Sequence, residues 1–494
     1  MPSRSPLHSF ALVAMLMPAC ASATTFFVTT TADNGSNSAP TAGSLRAAIV
    51  HANNAAGAAG IDFSLPSCPS TFTISTNALP DITNDVTIDG YSQSGATQNT
   101  QHGAFDANLC VVLNGAGAFA NGLHTSGGGR LTVEGLAFAG FTDAAIRFDA
   151  GAGNVATGNQ IGVASLAQNK DGIRISGSAS DAIIGSAAGL SVPGSMNLIG
   201  GNTGTAVYID AAAGGSVIGG NVIGVGANGS AANGNNLGVY IFDSPNNDIV
   251  SNVVANNGTQ GVLISGPSST GNVVQDNFIG ATYDEFAHAP NGTQGVLLSF
   301  GAANNVIGAF GNSITDGNTI YADGAAVWLS TSAGTGNRVL ANQQMYSGTL
   351  GLPVDLGASG PTANDAGDAD TGANNLQNYP VVLAAYRTTT STGEWVEGTL
   401  DTAANGTYRL DFYWGNCCSG GRSQATYFTG AIATVTTDAS GHAHFWAKLP
   451  SVVYPSDGEI SATATSASGD TSESGTGAQE ILGDMIFRDD FENH

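Results

Sequence analysis

The segment TAVYIDAAAGGSVIGGNVI, residues 205–223, carries the pattern from which the fold can be predicted. It contains three short apolar runs, at 206–209, 217–218 and 222–223, separated by small and turn-forming residues. In the first run Val207 and Ile209 are apolar at alternate positions, which is typical of a strand with one buried face. The stretch therefore predicts three short strands joined by tight turns.

The first run recurs along the chain as one tetrapeptide theme, with spacings of 27, 34, 32, 23, 34 and 31 residues. Its copies are Ala145-Ile-Arg-Phe, Gly172-Ile-Arg-Ile, Ala206-Val-Tyr-Ile, Gly238-Val-Tyr-Ile, Gly261-Val-Leu-Ile, Gly295-Val-Leu-Leu and Ala326-Val-Trp-Leu. A constant motif at variable spacing indicates a solenoid whose coils carry loops of different length. We therefore predict an all-β chain: a right-handed parallel β-helix with an N-terminal helical cap, followed by an immunoglobulin-like β-sandwich.

An asparagine precedes the third short strand of each coil. The predicted column consists of Asn159, Asn197, Asn221, Asn252, Asn277, Asn312 and Asn342. Asparagine tolerates the left-handed backbone of a tight corner, and its amide can bond the same amide in the next coil. We therefore predict a structural role for this column and no part in catalysis.

The chain divides into six predicted segments. Residues 1–23 have the basic start, apolar run and small-residue cleavage site of a secretory signal peptide, so export is expected. Residues 24–144 form the cap and first coils, with Ser44 as N-cap of a helix that Gly57 ends. Residues 145–356 form the regular coils, 357–378 an acidic linker, 379–480 the sandwich and 481–494 a C-terminal tail.

Charge and hydropathy exclude nucleic acid as a partner and an integral membrane protein as a class. The chain has 12 basic and 37 acidic residues and a formal net charge of −25 at pH 7. Such a chain repels phosphate backbones, so nucleic acid is excluded, and polyanionic glycans are disfavoured unless cations bridge them. No later run of about 18 apolar residues could span a bilayer, so an integral membrane protein is also excluded. We expect a secreted or cell-surface protein.

Four cysteines follow the predicted signal peptide. Export to an oxidising compartment favours disulfides, and Cys68 and Cys110 are the natural pair in the N-terminal region. Cys417 and Cys418 are adjacent in sequence. They either form a strained vicinal disulfide or stay free, and the sequence leaves both possibilities open.

Several motifs resemble one bacterial family. They are Phe27-Val-Thr-Thr-Thr-Ala-Asp, Gly43-Ser-Leu-Arg-Ala-Ala-Ile, Leu79-Pro-Asp-Ile-Thr, Val86-Thr-Ile-Asp-Gly-Tyr-Ser-Gln-Ser-Gly, Asn221-Val-Ile-Gly-Val and Asn233-Gly-Asn. They are similar to secreted CSLREA-type β-helix proteins over most of residues 25–345, although Gly43 replaces the signature's cysteine and an alanine its glutamate. The resemblance implies export and a pectin-lyase-like fold. It implies no particular reaction.

The third residue of each tetrapeptide is predicted to point outward, next to its equivalents in neighbouring coils. This column reads Arg147, Arg174, Tyr208, Tyr240, Leu263, Leu297 and Trp328. Strands about 4.8 Å apart place these side chains at roughly the spacing of sugar units, so its cationic and aromatic members are candidate ligands for a neutral glycan or cell-surface polymer. Alternatively, a long loop or the sandwich covers the column and makes the aromatic residues packing residues.

An enzyme is a second hypothesis for the same face. Asp149 and Asp210 could act as a carboxylate pair, about 10 Å apart across two coils, or Arg174 could act as a base. The reaction would be a polysaccharide lyase's or a glycoside hydrolase's. A third hypothesis, a structural surface scaffold, requires no binding at all.

The predicted linker contains a candidate calcium site. Residues 364–374 read NDAGDADTGAN, in which Asp365, Asp368, Asp370 and Asn374 supply oxygen atoms and Gly372 allows a turn. The terminal glutamate of an EF-hand loop is missing. The alternative is an acidic linker without a ligand.

Overall fold

The computed structural model describes residues 24–73, 77–162, 166–283, 287–309, 316–348, 351–387, 394–415, 424–450 and 458–482. Four predicted features lie outside these ranges: the signal peptide, Asn312, the Cys417–Cys418 pair and the tail from residue 483. No helix in the described ranges is long and apolar enough to cross a membrane.

Most of the chain forms a parallel β-helix with three sheets. Sheet A contains eleven parallel strands, Thr24–Val28, Ala59–Phe63, Val86–Asp89, Leu131–Glu134, Val155–Thr157, Ile183–Gly185, Val217–Gly219, Asp248–Val250, Val273–Gln275, Val306–Gly308 and Arg338–Leu340. The other two sheets share two long strands, Val111–Thr125 and Leu136–Phe148, which bend from one sheet into the other. The structure therefore confirms the predicted solenoid.

Sheet B carries the repeated tetrapeptides. It combines the second halves of the long strands with Asp171–Ser176, Thr205–Asp210, Leu237–Phe242, Val262–Ser265, Val296–Ser299, Val327–Ser330 and Val354–Gly357. Sheet C combines the first halves with Ser70–Thr73, Gln160–Ile161, Leu198–Ile199, Val222–Ile223, Val253–Val254, Phe278–Ile279, Thr319–Tyr321 and Gln344–Tyr346. Alternate apolar side chains such as Val207 and Ile209 point inward and are fully buried in one continuous core.

Columns of buried asparagines line the corners of the coils. In the column before sheet C, hydrogen bonds of 2.8–3.2 Å join the side-chain amides of successive coils. Its members are Asn159, Asn197, Asn221, Asn252, Asn277, Asn318 and Asn342. The structure corrects one member, because Asn318 stands where we predicted Asn312. Two further columns consist of Asn169, Asn202, Asn235, Asn257 and Asn291, and of Asn247, Asn272, Asn305 and Asn337.

The N-terminal end is closed by the predicted helix, Leu45–Asn53. The Ser44 side chain accepts a hydrogen bond of 3.1 Å from the backbone N–H of Ala47, which confirms it as the N-cap. The disulfide Cys68–Cys110 is present as predicted and joins the segments around sheet C. Short 3-10 turns lie at Gly90–Ser92, Gly189–Ser191, Pro193–Ser195 and Ala373–Leu376.

The C-terminal part forms a two-sheet β-sandwich. One sheet consists of Ala478–Leu482, Val381–Arg387, Glu394–Asp401 and His442–Leu449, and the other of Tyr427–Thr436, Thr407–Gly415 and Glu459–Ser466. Apolar side chains from both sheets share one core. The assignment of this sandwich to the immunoglobulin-like class remains a prediction.

The sandwich caps the open end of the β-helix. Met345 N–H bonds the Thr426 carbonyl at 2.9 Å, and Tyr413 packs into the core of the β-helix with Ala425. Within the predicted linker, Thr362 N–H bonds the Glu473 carboxylate at 3.0 Å. These contacts cover strand edges that would otherwise pair with other chains.

Candidate functional site

The outward column of sheet B, which we call the ribbon, is continuous in the structure. The strand register aligns His124, Arg147, Arg174, Tyr208, Tyr240, Leu263, Leu297, Trp328 and Asp355. All are half-buried except Asp355, which is buried. The register thus places the five predicted ligand-binding residues in one column and adds His124 and Asp355 at its ends.

One end of the ribbon is a dense ionic network. Arg147 Nε lies 2.8 Å from one oxygen of Asp149 and 2.9 Å from the other. Arg174 donates to Asp143 at 3.2 Å and forms a very short bond to Asp210. Arg147 also pairs with Asp143, so this aspartate bridges the two arginines of adjacent coils. The network holds the two arginines of adjacent coils between the three aspartates Asp143, Asp149 and Asp210.

His124 extends the network toward the N-terminus. Its Nδ1 lies 2.8 Å from Asp81 Oδ1 and its Nε2 lies 3.0 Å from Asp149 Oδ2. A neutral imidazole carries a single N–H, so both bonds form only with the doubly protonated ring. The tetrapeptide pattern could not reveal His124 because it lies in the irregular strand Val111–Thr125, whose register shifts twice.

The two tyrosines stack on each other. The ring centroids of Tyr208 and Tyr240 are 4.8 Å apart and their planes differ by 2°. Arg174 Cζ lies 4.9 Å from the Tyr208 ring centre, on the side of the preceding coil. Both faces of Tyr208 therefore meet neighbours in the column, and the ring presents its edge and hydroxyl outward. Burial, followed by the charge of Asp210, raises the pKa of Tyr208, so its hydroxyl stays a donor.

Trp328 lies apart from this group. Leu263 and Leu297 separate it from Tyr240, so three strand steps of about 4.8 Å lie between them. Its indole Nε1 donates to the Gly357 carbonyl at 3.1 Å. The structure thus brings Arg147, Arg174, Tyr208 and Tyr240 together and leaves Trp328 at a distance.

Two of the candidate catalytic residues, Asp149 and Arg174, are held as ions. Burial by itself would raise the pKa of Asp149, but hydrogen bonds from Arg147, Ser176 and His124 outweigh it and lower the pKa. A general acid of a glycosidase needs the opposite shift. Burial opposes the charge of Arg174, yet Asp210 raises its pKa, so Arg174 is not suited to act as a base.

A second candidate site is the carboxylate cluster of Asp365, Asp368 and Asp370, whose ligand oxygens lie within 4.8 Å of one another. Asp365 Oδ1 and Asp370 Oδ1 are buried atoms without a hydrogen-bond partner. Asp368 is held by Thr402 Oγ1 at 2.7 Å and the Asn378 N–H at 2.9 Å. Burial and the neighbouring carboxylates raise the pKa of Asp370. The cluster offers convergent oxygens of the kind that calcium prefers.

Asn374 has a different environment from these carboxylates. It is fully buried, its Oδ1 accepts the Asn337 N–H at 3.0 Å, and its amide donates to the carbonyls of Asn337 and Thr471. These bonds continue the third asparagine column and link it to the sandwich. The sequence did not reveal this role because the column's partners lie 37 and 97 residues away.

Comparisons with known proteins place the chain in no family. No family model matches it, and no curated protein matches it. Among solved structures, it is similar to the full-length tailspike protein 2 of Escherichia coli O157:H7 bacteriophage CAB120, with 12% identity and a TM-score of 0.33. The match covers 87% of this chain, which spans 65% of the tailspike. A similarity this low does not bear on the ligand or activity of the present chain.

Proposed function

We propose that this protein is exported and binds a neutral glycan of a cell surface along the ribbon. The observation that carries the proposal is the unbroken register from His124 to Tyr240, which lines up one histidine, two arginines and two tyrosines at coil spacing. Asp149 and Asp210 lie beside this column and pair with the arginines. Glycan hydroxyls are paired donors and acceptors and match such a surface. The net charge of −25 disfavours polyanionic glycans. We include in this proposal that residues 1–23 are a secretory signal peptide and that the protein is of the CSLREA type.

The mode of binding follows from the ring stack. Because Tyr208 and Tyr240 face each other, sugars meet their edges and hydroxyls and the adjacent Arg174–Asp210 pair. Recognition is therefore mainly by hydrogen bonds, with little stacking of sugar rings. A reaction on this face is not favoured because the carboxylates are engaged by arginines.

A double variant tests the ribbon. We expect Tyr208→Ala/Tyr240→Ala to weaken glycan binding at least about tenfold, since two central contact residues are lost. The measurement is a glycan array with the mature protein, followed by titration calorimetry on each hit. Phe300→Ala, at a residue 70% exposed outside the ribbon, is the matched control and should bind as the wild type does. Equal binding by the double variant would contradict the proposal, and product release from a hit would establish an enzyme.

We further propose that the carboxylate cluster of Asp365, Asp368 and Asp370 binds calcium. Calcium at 100 times its Kd should stabilise the folded chain by about 2.7 kcal/mol. Thermal unfolding with calcium and then with a chelator measures this effect. Asp368→Asn/Asp370→Asn should abolish it, whereas Asp323→Asn, at an exposed aspartate of the β-helix, should not. An unfolding midpoint that calcium leaves unchanged in the wild type would contradict the site.

A further inference from the structure

The outer face of one sandwich sheet carries an aromatic patch that the ribbon does not involve. In strands 381–387, 394–401 and 442–449, side chains alternate between the sandwich core and the outside. Val396, Leu400 and Phe445 are buried inward, which completes the core. The outward positions include Tyr386, Trp395, Glu397, His444 and Trp446, which we call the sandwich face.

The aromatic residues of the sandwich face are contiguous. The strand register places Tyr386 opposite Trp395 and Glu397 opposite Trp446. The ring centroids of Tyr386 and Trp446 are 6.2 Å apart, and their planes differ by 22°. Trp446 is 36% exposed. Tyr386 and Trp395 are half-buried, so Trp446 is the most exposed ring of the three. Large aromatic side chains grouped on the outside of a sheet whose core is complete are typical of a binding surface.

Two hydrogen-bonded histidine–carboxylate pairs border the aromatic patch. His444 Nε2 lies 2.9 Å from Glu397 Oε1, and His442 Nδ1 lies 2.7 Å from Asp401 Oδ1. All four side chains are at least partly exposed. The patch thus combines an apolar centre with donors and acceptors at its margin.

We propose that the sandwich face is a second carbohydrate-binding site, specific for a neutral polysaccharide. A pyranose ring has an apolar C–H face and a rim of hydroxyls. The apolar face packs on aromatic rings, whose faces carry negative charge density that attracts polarised C–H groups. The hydroxyls at the rim meet the His444–Glu397 and His442–Asp401 pairs.

The charge of the chain selects among ligands. A net charge of −25 repels nucleic acids and acidic polysaccharides. A surface that extends across three neighbouring strands suits a long polymer more than a small enclosed ligand. This site shares no residue with the ribbon, so two separate sites on one chain would bind one polymer with greater avidity than either alone.

Depletion binding to insoluble neutral polysaccharides tests this site in the full-length protein. The probes are cellulose, chitin and mannan, with soluble oligosaccharides of each for titration by tryptophan fluorescence. We expect Tyr386→Ala/Trp446→Ala to weaken binding to at least one probe about tenfold or more. Trp446→Tyr, which keeps an aromatic ring, should retain most of the affinity. Phe300→Ala is again the control, and equal unfolding midpoints exclude misfolding.

The ribbon variant Tyr208→Ala/Tyr240→Ala separates the two proposals. If only the Tyr386→Ala/Trp446→Ala variant loses binding to polysaccharide, the sandwich site is supported and the ribbon is not. Loss only in the ribbon variant overturns the sandwich site, and so does binding to none of the three probes. Partial loss in each variant, with complete loss when the substitutions are combined, supports both sites.

Discussion

Replacing Arg46 with methionine should destabilise the N-terminal end of the β-helix by about 3–5 kcal/mol, the usual cost of breaking a buried ion pair. Arg46 is fully buried in the cap helix. Its guanidinium bonds both oxygens of Asp33, at 2.7 and 2.8 Å, and the carbonyls of Asn77 and Ala78, both at 2.7 Å. Methionine fills a similar volume but leaves Asp33 and two carbonyls without their donors.

Hydrogen exchange of residues 24–63 and urea unfolding measure this effect. Arg130→Met, at an exposed arginine, is the control and should change the free energy of unfolding by less than about 0.5 kcal/mol. Hydrogen bonds from Arg46 lower the pKa of Asp33. This contribution is therefore present above the unfolded pKa of about 3.9 and is lost as the pH falls through the folded pKa. The difference in the free energy of unfolding between the wild type and Arg46→Met should therefore become smaller at acidic pH. A difference that does not depend on pH would contradict the ion-pair explanation.

Replacing Asn252 with leucine should cost about 3–5 kcal/mol, because several buried polar groups lose partners at once. Asn252 Oδ1 accepts from the Asn221 backbone N–H at 2.9 Å and from its side-chain amide at 3.0 Å. Its own amide donates to Asn277 Oδ1 at 3.0 Å and to the Ile218 carbonyl at 2.8 Å. Leucine satisfies none of these groups.

Urea unfolding compares this variant with Asn236→Leu, whose asparagine is exposed and lies outside the columns. The Asn236→Leu change should alter the free energy of unfolding by less than about 0.5 kcal/mol. Equal stability of the two variants would show that the column contributes little. Loss of protection from hydrogen exchange in the coils next to residue 252 would show that the substitution destabilises neighbouring coils through the column.

The sequence predicts which residues of the candidate site point outward, because buried and outward side chains alternate within each strand. Because Val207 and Ile209 are buried, Tyr208 must face outward, and the same holds in each coil. The partners of Tyr208 were not predictable in the same way. Its stacking on Tyr240 and Arg174 depends on the rotamers that neighbouring coils allow. The sequence pattern also did not distinguish Asn312 from the nearby Asn318, and only the hydrogen bonds of the structure show that Asn318 joins Asn277 to Asn342.

Local sequence patterns predict the three-stranded coil, the inward and outward faces, the N-cap at Ser44 and the Cys68–Cys110 pair. These features follow from local alternation, capping chemistry and redox environment. Three contacts became evident from the three-dimensional structure alone: arginines pair with Asp149 and Asp210, Asn374 ends a column, and the sandwich caps the β-helix. Such contacts join residues far apart in the chain, and register and packing across coils determine which of them meet.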